Sequence, residues 1–174
     1  MMTKQKLIER FYINHQEMID YVNSLTDEQF MYRENGKWTA GQQLSHVYLT
    51  LLPFLKVLPS KEFIMQKFGK INRPTWNYNT VIENYFKTSL KAPPQFLPEQ
   101  VPLEQKAIIT ANIQKKLLSI QQLLNQYTDD ELDTLVLPHP LLGNLTIREM
   151  FYLMTYHPTH HLIQTKKNLE KTPQ

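Results

Sequence analysis

With 174 residues and a mass of 20.7 kDa, the chain has enough material for one packed domain and too little for two separate cores, so residues 1–174 are read as a single domain. Its 41% hydrophobic content, with 8 Phe, 9 Tyr and 2 Trp, excludes wholesale disorder. The absence of cysteine excludes a disulfide scaffold, a thiolate metal site and a Cys nucleophile, so any metal must sit on His, Asp or Glu.

Only 4 glycines stand against 11 prolines, too few for Gly-rich phosphate loops or for the tight turns of a many-stranded β protein, and an all-α fold is predicted. The net charge of +3 is carried by lysines scattered along the chain, which argues against a nucleic-acid partner. No run approaches the roughly 18 consecutive apolar residues of a membrane span. The basic N-terminus is interrupted by Glu9 and Arg10 before any signal-peptide core can form, so a cytoplasmic protein with no membrane contact is expected.

In chain order, Ile8, Phe11, His15, Met18, Val22 and Leu25 recur at steps of three and four and predict an amphipathic helix over about Lys4–Ser24. Thr26-Asp27-Glu28-Gln29 is a capping box that opens a short helical turn. Thr39 caps a second long helix from Ala40 to about Leu58, with Leu44, Val47, Leu51, Phe54 and Leu58 inward and a kink expected at Pro53. Between Pro59 and Glu104 five further prolines and many aromatics punctuate the chain. This reads as a long ordered crossover between the second and third helices, containing one short helix over about Thr80–Leu90 and able to wall a pocket. A third long helix is expected over about Glu104–Tyr127. Thr128 repeats the capping pattern of Thr26, and Thr146 with Glu149 caps a fourth helix that runs to about Leu169. Four long amphipathic helices and one crossover describe a four-helix bundle.

On the fourth helix the inward stripe Ile147, Met150, Met154 turns polar at His157, His161 and Gln164. Histidines at i and i+4 share a helix face and can converge on one ion. His46, one position from the inward Val47, is the candidate third ligand from the second helix. Three neutral imidazoles would leave a coordination position open, as in a catalytic site. The spacing alone also allows hydrogen-bonded core or surface histidines. His160 points about 100° away from His161 and reads as a supporting or surface residue. His15 reads as a core histidine, and His139, between Pro138 and Pro140, as a structural loop residue.

The segment from His139-Pro140-Leu141-Leu142-Gly143-Asn144 to Met150, followed by His157-x-x-His160-His161-x-x-Gln164, resembles the C-terminal signature of the DinB-like (YfiT-like) superfamily. Trp38-Thr39-Ala40-Gly41-Gln42-Gln43-Leu44-Ser45-His46 resembles its N-terminal one. The resemblance implies a down-up-up-down four-helix bundle, commonly a homodimer, with one divalent metal (Zn, Ni, Mn or Fe) on His46, His157 and His161. It also implies a metal-dependent transferase that activates a small thiol, such as bacillithiol or mycothiol, for attack on a small electrophile. Hydrolysis through an activated water is the lesser form of the same chemistry. This sequence departs from many members by Leu162-Ile163 in place of Arg-Gly and by Pro158 within the motif. The rival readings are a non-catalytic metal-binding or stress-associated interaction protein and a bundle whose histidines bind nothing. Leu153 and Ile163, expected on the flank of the fourth helix, are the residues offered for a dimer contact.

Overall fold

A computed structural model describes residues 2–33 and 35–170. Four long helices dominate it: α1 (Lys4–Ser24), α3 (Ala40–Val57), α6 (Lys106–Asn125) and α8 (Ile147–Leu169), with short α2 (Asp27–Met31) between the first two. The starts of α1, α2, α3 and α8 are written in the sequence. Thr3 caps α1, while Thr26, Thr39 and Thr146 close full capping boxes with Gln29, Gln42 and Glu149, satisfying backbone N–H groups that a helix start leaves without partners.

The apolar stripes face one another. Leu7, Phe11 and Met18 of α1, Leu44, Val47 and Leu51 of α3, Ile113, Leu117 and Ile120 of α6, and Ile147, Phe151 and Tyr152 of α8 form one buried core. Hydrogen bonds between the helices fix their directions. Arg148 Nη1 donates to the Met2 carbonyl at 2.9 Å and Asn14 Nδ2 to the Thr155 carbonyl at 2.7 Å, so α1 and α8 run side by side in the same sense. Lys106 Nζ donates to the Leu25 carbonyl at 2.8 Å, which places the start of α6 beside the end of α1. Tyr127 Oη donates to the Leu58 carbonyl at 2.7 Å, joining the ends of α6 and α3. Among the described residues no helix is long and apolar enough to cross a membrane.

The crossover is more structured than its prolines suggest. It holds α4 (Lys61–Phe68) and α5 (Tyr78–Phe86), where a single helix over Thr80–Leu90 was expected. Ser60 Oγ accepts from the Phe63 N–H to start α4, and Gly69, at φ +77°, ends it in a conformation that costs glycine little. Asn77 caps α5, which stops at Phe86, ahead of Leu90 at φ +52°. Two 3₁₀ turns follow, Pro94–Phe96 and Leu103–Gln105, so the third long helix begins at Lys106 and not at Glu104.

The mostly helical chain also carries one element that an all-α reading omits. Beyond α7 (Asp129–Thr134), β1 (Val136–His139) pairs antiparallel with β2 (Gly143–Thr146), Leu137 opposite Leu145 and His139 opposite Gly143. His139 is therefore a strand-end residue, and its Nδ1 accepts from the N–H groups of Leu141 and Leu142 at 3.2 Å each, closing the turn. The flank of α8 is corrected as well: Leu153 is buried, while Ile163 is exposed. Pro53 lies within an unbroken α3, and Pro158 within an unbroken α8.

Candidate metal centre

The site grows from two helix faces. The Thr39 capping box sets the rotation of α3 so that Leu44, Val47 and Leu51 enter the core and His46 lies on the adjoining edge. From α8, steps of three and four carry the inward row Ile147, Met150, Met154, His157, His161 toward the same place. Phe54 of α3 packs on Phe151 of α8 with ring centroids 4.9 Å apart, and Asn168 Nδ2 donates to the Trp38 carbonyl at 3.4 Å. The two helices are therefore antiparallel, and His46 falls level with the His157–His161 turn.

The three predicted ligands come together. His157 Nε2 lies 3.1 Å from His46 Nε2 and 3.1 Å from His161 Nε2, and the potential ligand atoms of all three lie within 4.8 Å of one another. Zinc–nitrogen bonds of about 2.0 Å in a tetrahedral site separate ligand nitrogens by about 3.3 Å, so the rings need little adjustment to share one ion.

Their partners determine which nitrogens carry protons. His46 Nδ1 donates to the Phe96 carbonyl at 2.7 Å, and His161 Nδ1 donates to Gln43 Oε1 at 2.5 Å, leaving Nε2 of both rings as bare lone pairs. Gln43 is held in turn: its Nε2 donates to Gln164 Oε1 at 3.3 Å, and Gln164 Nε2 donates to His160 Nε2 at 2.7 Å. His160 thus stands outside the trio and braces it through two glutamines.

Burial pushes the His46 pKa down, and pushes those of His157 and His161 well below the ordinary 6.5, with neighbouring imidazoles adding repulsion against a second positive charge. All three rings are consequently neutral near pH 7. The donor set therefore fits a cation: His46 and His161 direct lone pairs at the same small volume, and a single N–H on His157 can satisfy at most one of them well. One divalent ion would satisfy all three, and three protein ligands would leave it an exchangeable position.

The trio opens onto a cleft of about 830 Å³. Phe54 and Met154 come from α3 and α8, Trp38 from the segment just before α3, and Tyr85, Phe96 and Leu97 from the crossover, so the Pro- and aromatic-rich segment does wall a pocket. Trp38 covers the imidazoles directly, with its ring centroid 5.1 Å from His46 and stacked 6.2 Å from His161. His15, by contrast, is a buried core residue whose Nδ1 donates to the Phe11 carbonyl at 2.7 Å.

Sequence reasoning assigned no role to Gln43 or Phe96. Gln43 could have been found, since it precedes His46 by three positions and shares its helix face. Phe96 acts through a backbone carbonyl, which no side-chain pattern reveals.

A mostly helical chain with a three-histidine cluster between two antiparallel helices defines a class of compact helical proteins with a metal-capable cleft. A model of the DinB superfamily matches residues 10–165, and the chain belongs to that superfamily. No curated protein matches it.

Proposed function

We propose that the chain, acting as one domain with the down-up-up-down bundle order, is a cytoplasmic metal-dependent transferase. It holds one divalent ion (Zn, Ni, Mn or Fe) on His46, His157 and His161 and joins a small thiol to a small electrophile. The observation that carries this reading is the convergence of three neutral ring nitrogens, two of them with fixed tautomers, on the wall of an apolar cleft. An ion held there supplies Lewis acidity, lowering the pKa of a thiol or a water that shares the site.

The residues of the chain divide the remaining work. The Phe96 carbonyl and Gln43 orient two ligands and keep their lone pairs directed inward. Trp38 and Tyr85 give an electrophile an apolar wall beside the ring nitrogens and shield that side of the site from water.

The test is metal content followed by turnover. Protein purified without a His-tag should hold about one divalent ion per chain. With monochlorobimane as electrophile and a panel of small thiols, conjugation should exceed the uncatalysed rate. It should vanish on chelation and in His46→Ala, and return with metal in the wild type. A metal-loaded protein inert toward every thiol, and toward esters and amides, would leave the non-catalytic metal-binding reading in its place. A chain that binds no metal would remove both.

A further inference from the structure

Among the described residues, two buried side-chain nitrogen or oxygen atoms meet no hydrogen-bond partner: His157 Nδ1 and His15 Nε2. A buried polar atom without a partner costs about 1–3 kcal/mol, so two such atoms in one core call for a shared explanation.

They lie at the same height of the molecule. Asn14 is bonded to the carbonyl of Thr155, and Lys166 Nζ sits 4.9 Å from the Tyr21 ring centroid, so α1 and α8 stay side by side over the span that contains both histidines. Both side chains are buried, with 1% of His15 and 7% of His157 exposed.

The two atoms also have complementary chemistry once a cation is bound. His15 donates from Nδ1 to the Phe11 carbonyl, so its Nε2 is a lone pair that can only accept. A His157 that coordinates through Nε2 must carry its proton on Nδ1, and that N–H can only donate. We propose that His15 is the positioning residue for the metal ligand His157, accepting the His157 Nδ1–H at Nε2 directly or through one buried water. This inference rests on the metal-binding reading. His15 thereby does for His157 what the Phe96 carbonyl does for His46 and Gln43 does for His161, giving each ligand its own acceptor.

Metal loading also changes the proton's place. In the metal-free protein a proton on His157 Nε2 donates to His46 or His161, and Nδ1 is a second lone pair without a partner. Binding moves that proton to Nδ1.

The experiment compares Zn²⁺ affinity, by chelator competition, in the wild type, His15→Leu and His15→Gln, alongside imidazole ¹⁵N spectra of the wild type. Removing the acceptor should weaken Zn²⁺ binding by about 10- to 100-fold. Glutamine, which keeps an accepting oxygen, should recover part of that loss. The spectra should show His157 protonated at Nδ1 only in the zinc-loaded form, and His15 at Nδ1 in both forms. Equal affinity in the wild type and both variants, or a His15 protonated at Nε2, would overturn the assignment while leaving the metal site standing. A wild type that binds no Zn²⁺ would remove the metal site and this inference with it. Should His15→Leu fail to fold, the wild-type spectra decide alone.

Discussion

Arg73 and Glu149 meet across 76 positions of sequence, Nη1 lying 2.6 Å from Oε1 and Nη2 2.9 Å from Oε2. The carboxylate is completely buried, and it also accepts from the N–H groups of Trp76 at 2.5 Å and Thr146 at 2.8 Å. One side chain therefore closes the capping box of α8 and fastens the crossover to it, while the Arg73 guanidinium lies 3.6 Å from the Trp76 ring centroid. Glu149→Ala strands a partly buried guanidinium and two N–H groups, and should cost about 3 kcal/mol of stability. Urea unfolding checks this, and a loss under about 1 kcal/mol would show that the crossover is held by other contacts.

Histidine substitutions should separate the ligands from their support. His157→Ala and His161→Ala should abolish metal binding. His160→Ala should retain most of it, because His160 acts at two removes through Gln164 and Gln43. Isothermal titration with Zn²⁺ gives the comparison, and equal losses in all three variants would mean that the wrong face of α8 has been assigned.

Trp38 offers a reporter, since its indole stacks on His161 and neighbours His46. Adding Ni²⁺ should quench tryptophan emission to an endpoint near one ion per chain. In Trp38→Phe, where Trp76 beneath Arg73 is the remaining emitter, the quench should be lost. Quenching that survives the substitution would locate the ion elsewhere.

The long helices and the histidine cluster were legible because both depend largely on spacing within one helix. Capping residues and stripes marked α1, α3 and α8 almost to the residue, and the i, i+4 pair with His46 named the trio. What was missed depends on contacts between distant segments. Pro138 discourages a strand, and β1 forms only because Gly143–Thr146 folds back beside it. Helix α4 did carry signals, Ser60 before it and Gly69 after it, which the surrounding prolines obscured.

Metal-free protein should lose stability on mild acidification. Burial holds His15 at a pKa of about 4, against 6.5 in an unfolded chain. Below pH 6.5 the unfolded chain takes up a proton that the folded one refuses until about pH 4. The folded state therefore loses ground across that window, with no contribution from His15 above it. His139, also held at about 4, acts in the same direction. The urea midpoint should fall between pH 7.5 and pH 5, and fall less in His15→Leu. The same drop in both would show that His15 contributes nothing to it.

Assembly is a separate expectation. Ile108 and Leu118 of α6 and Ile163 of α8 are 60%, 52% and 41% exposed, leaving apolar surface on the outer faces of two long helices. Light scattering at micromolar concentration should report a homodimer. One chain's mass would remove that expectation.

The bond from His46 to the Phe96 carbonyl spans 50 residues and joins a candidate metal ligand to the lining of its own cleft. A guest that displaced the Pro94–Phe96 turn would take away the acceptor that keeps the His46 Nε2 lone pair turned toward His157. By thermodynamic reciprocity, an ion that stabilises that lone pair tightens the turn. If an ion is held on the three histidines, a guest bulky enough to displace that turn would weaken its hold, whereas a guest that leaves the turn in place would not.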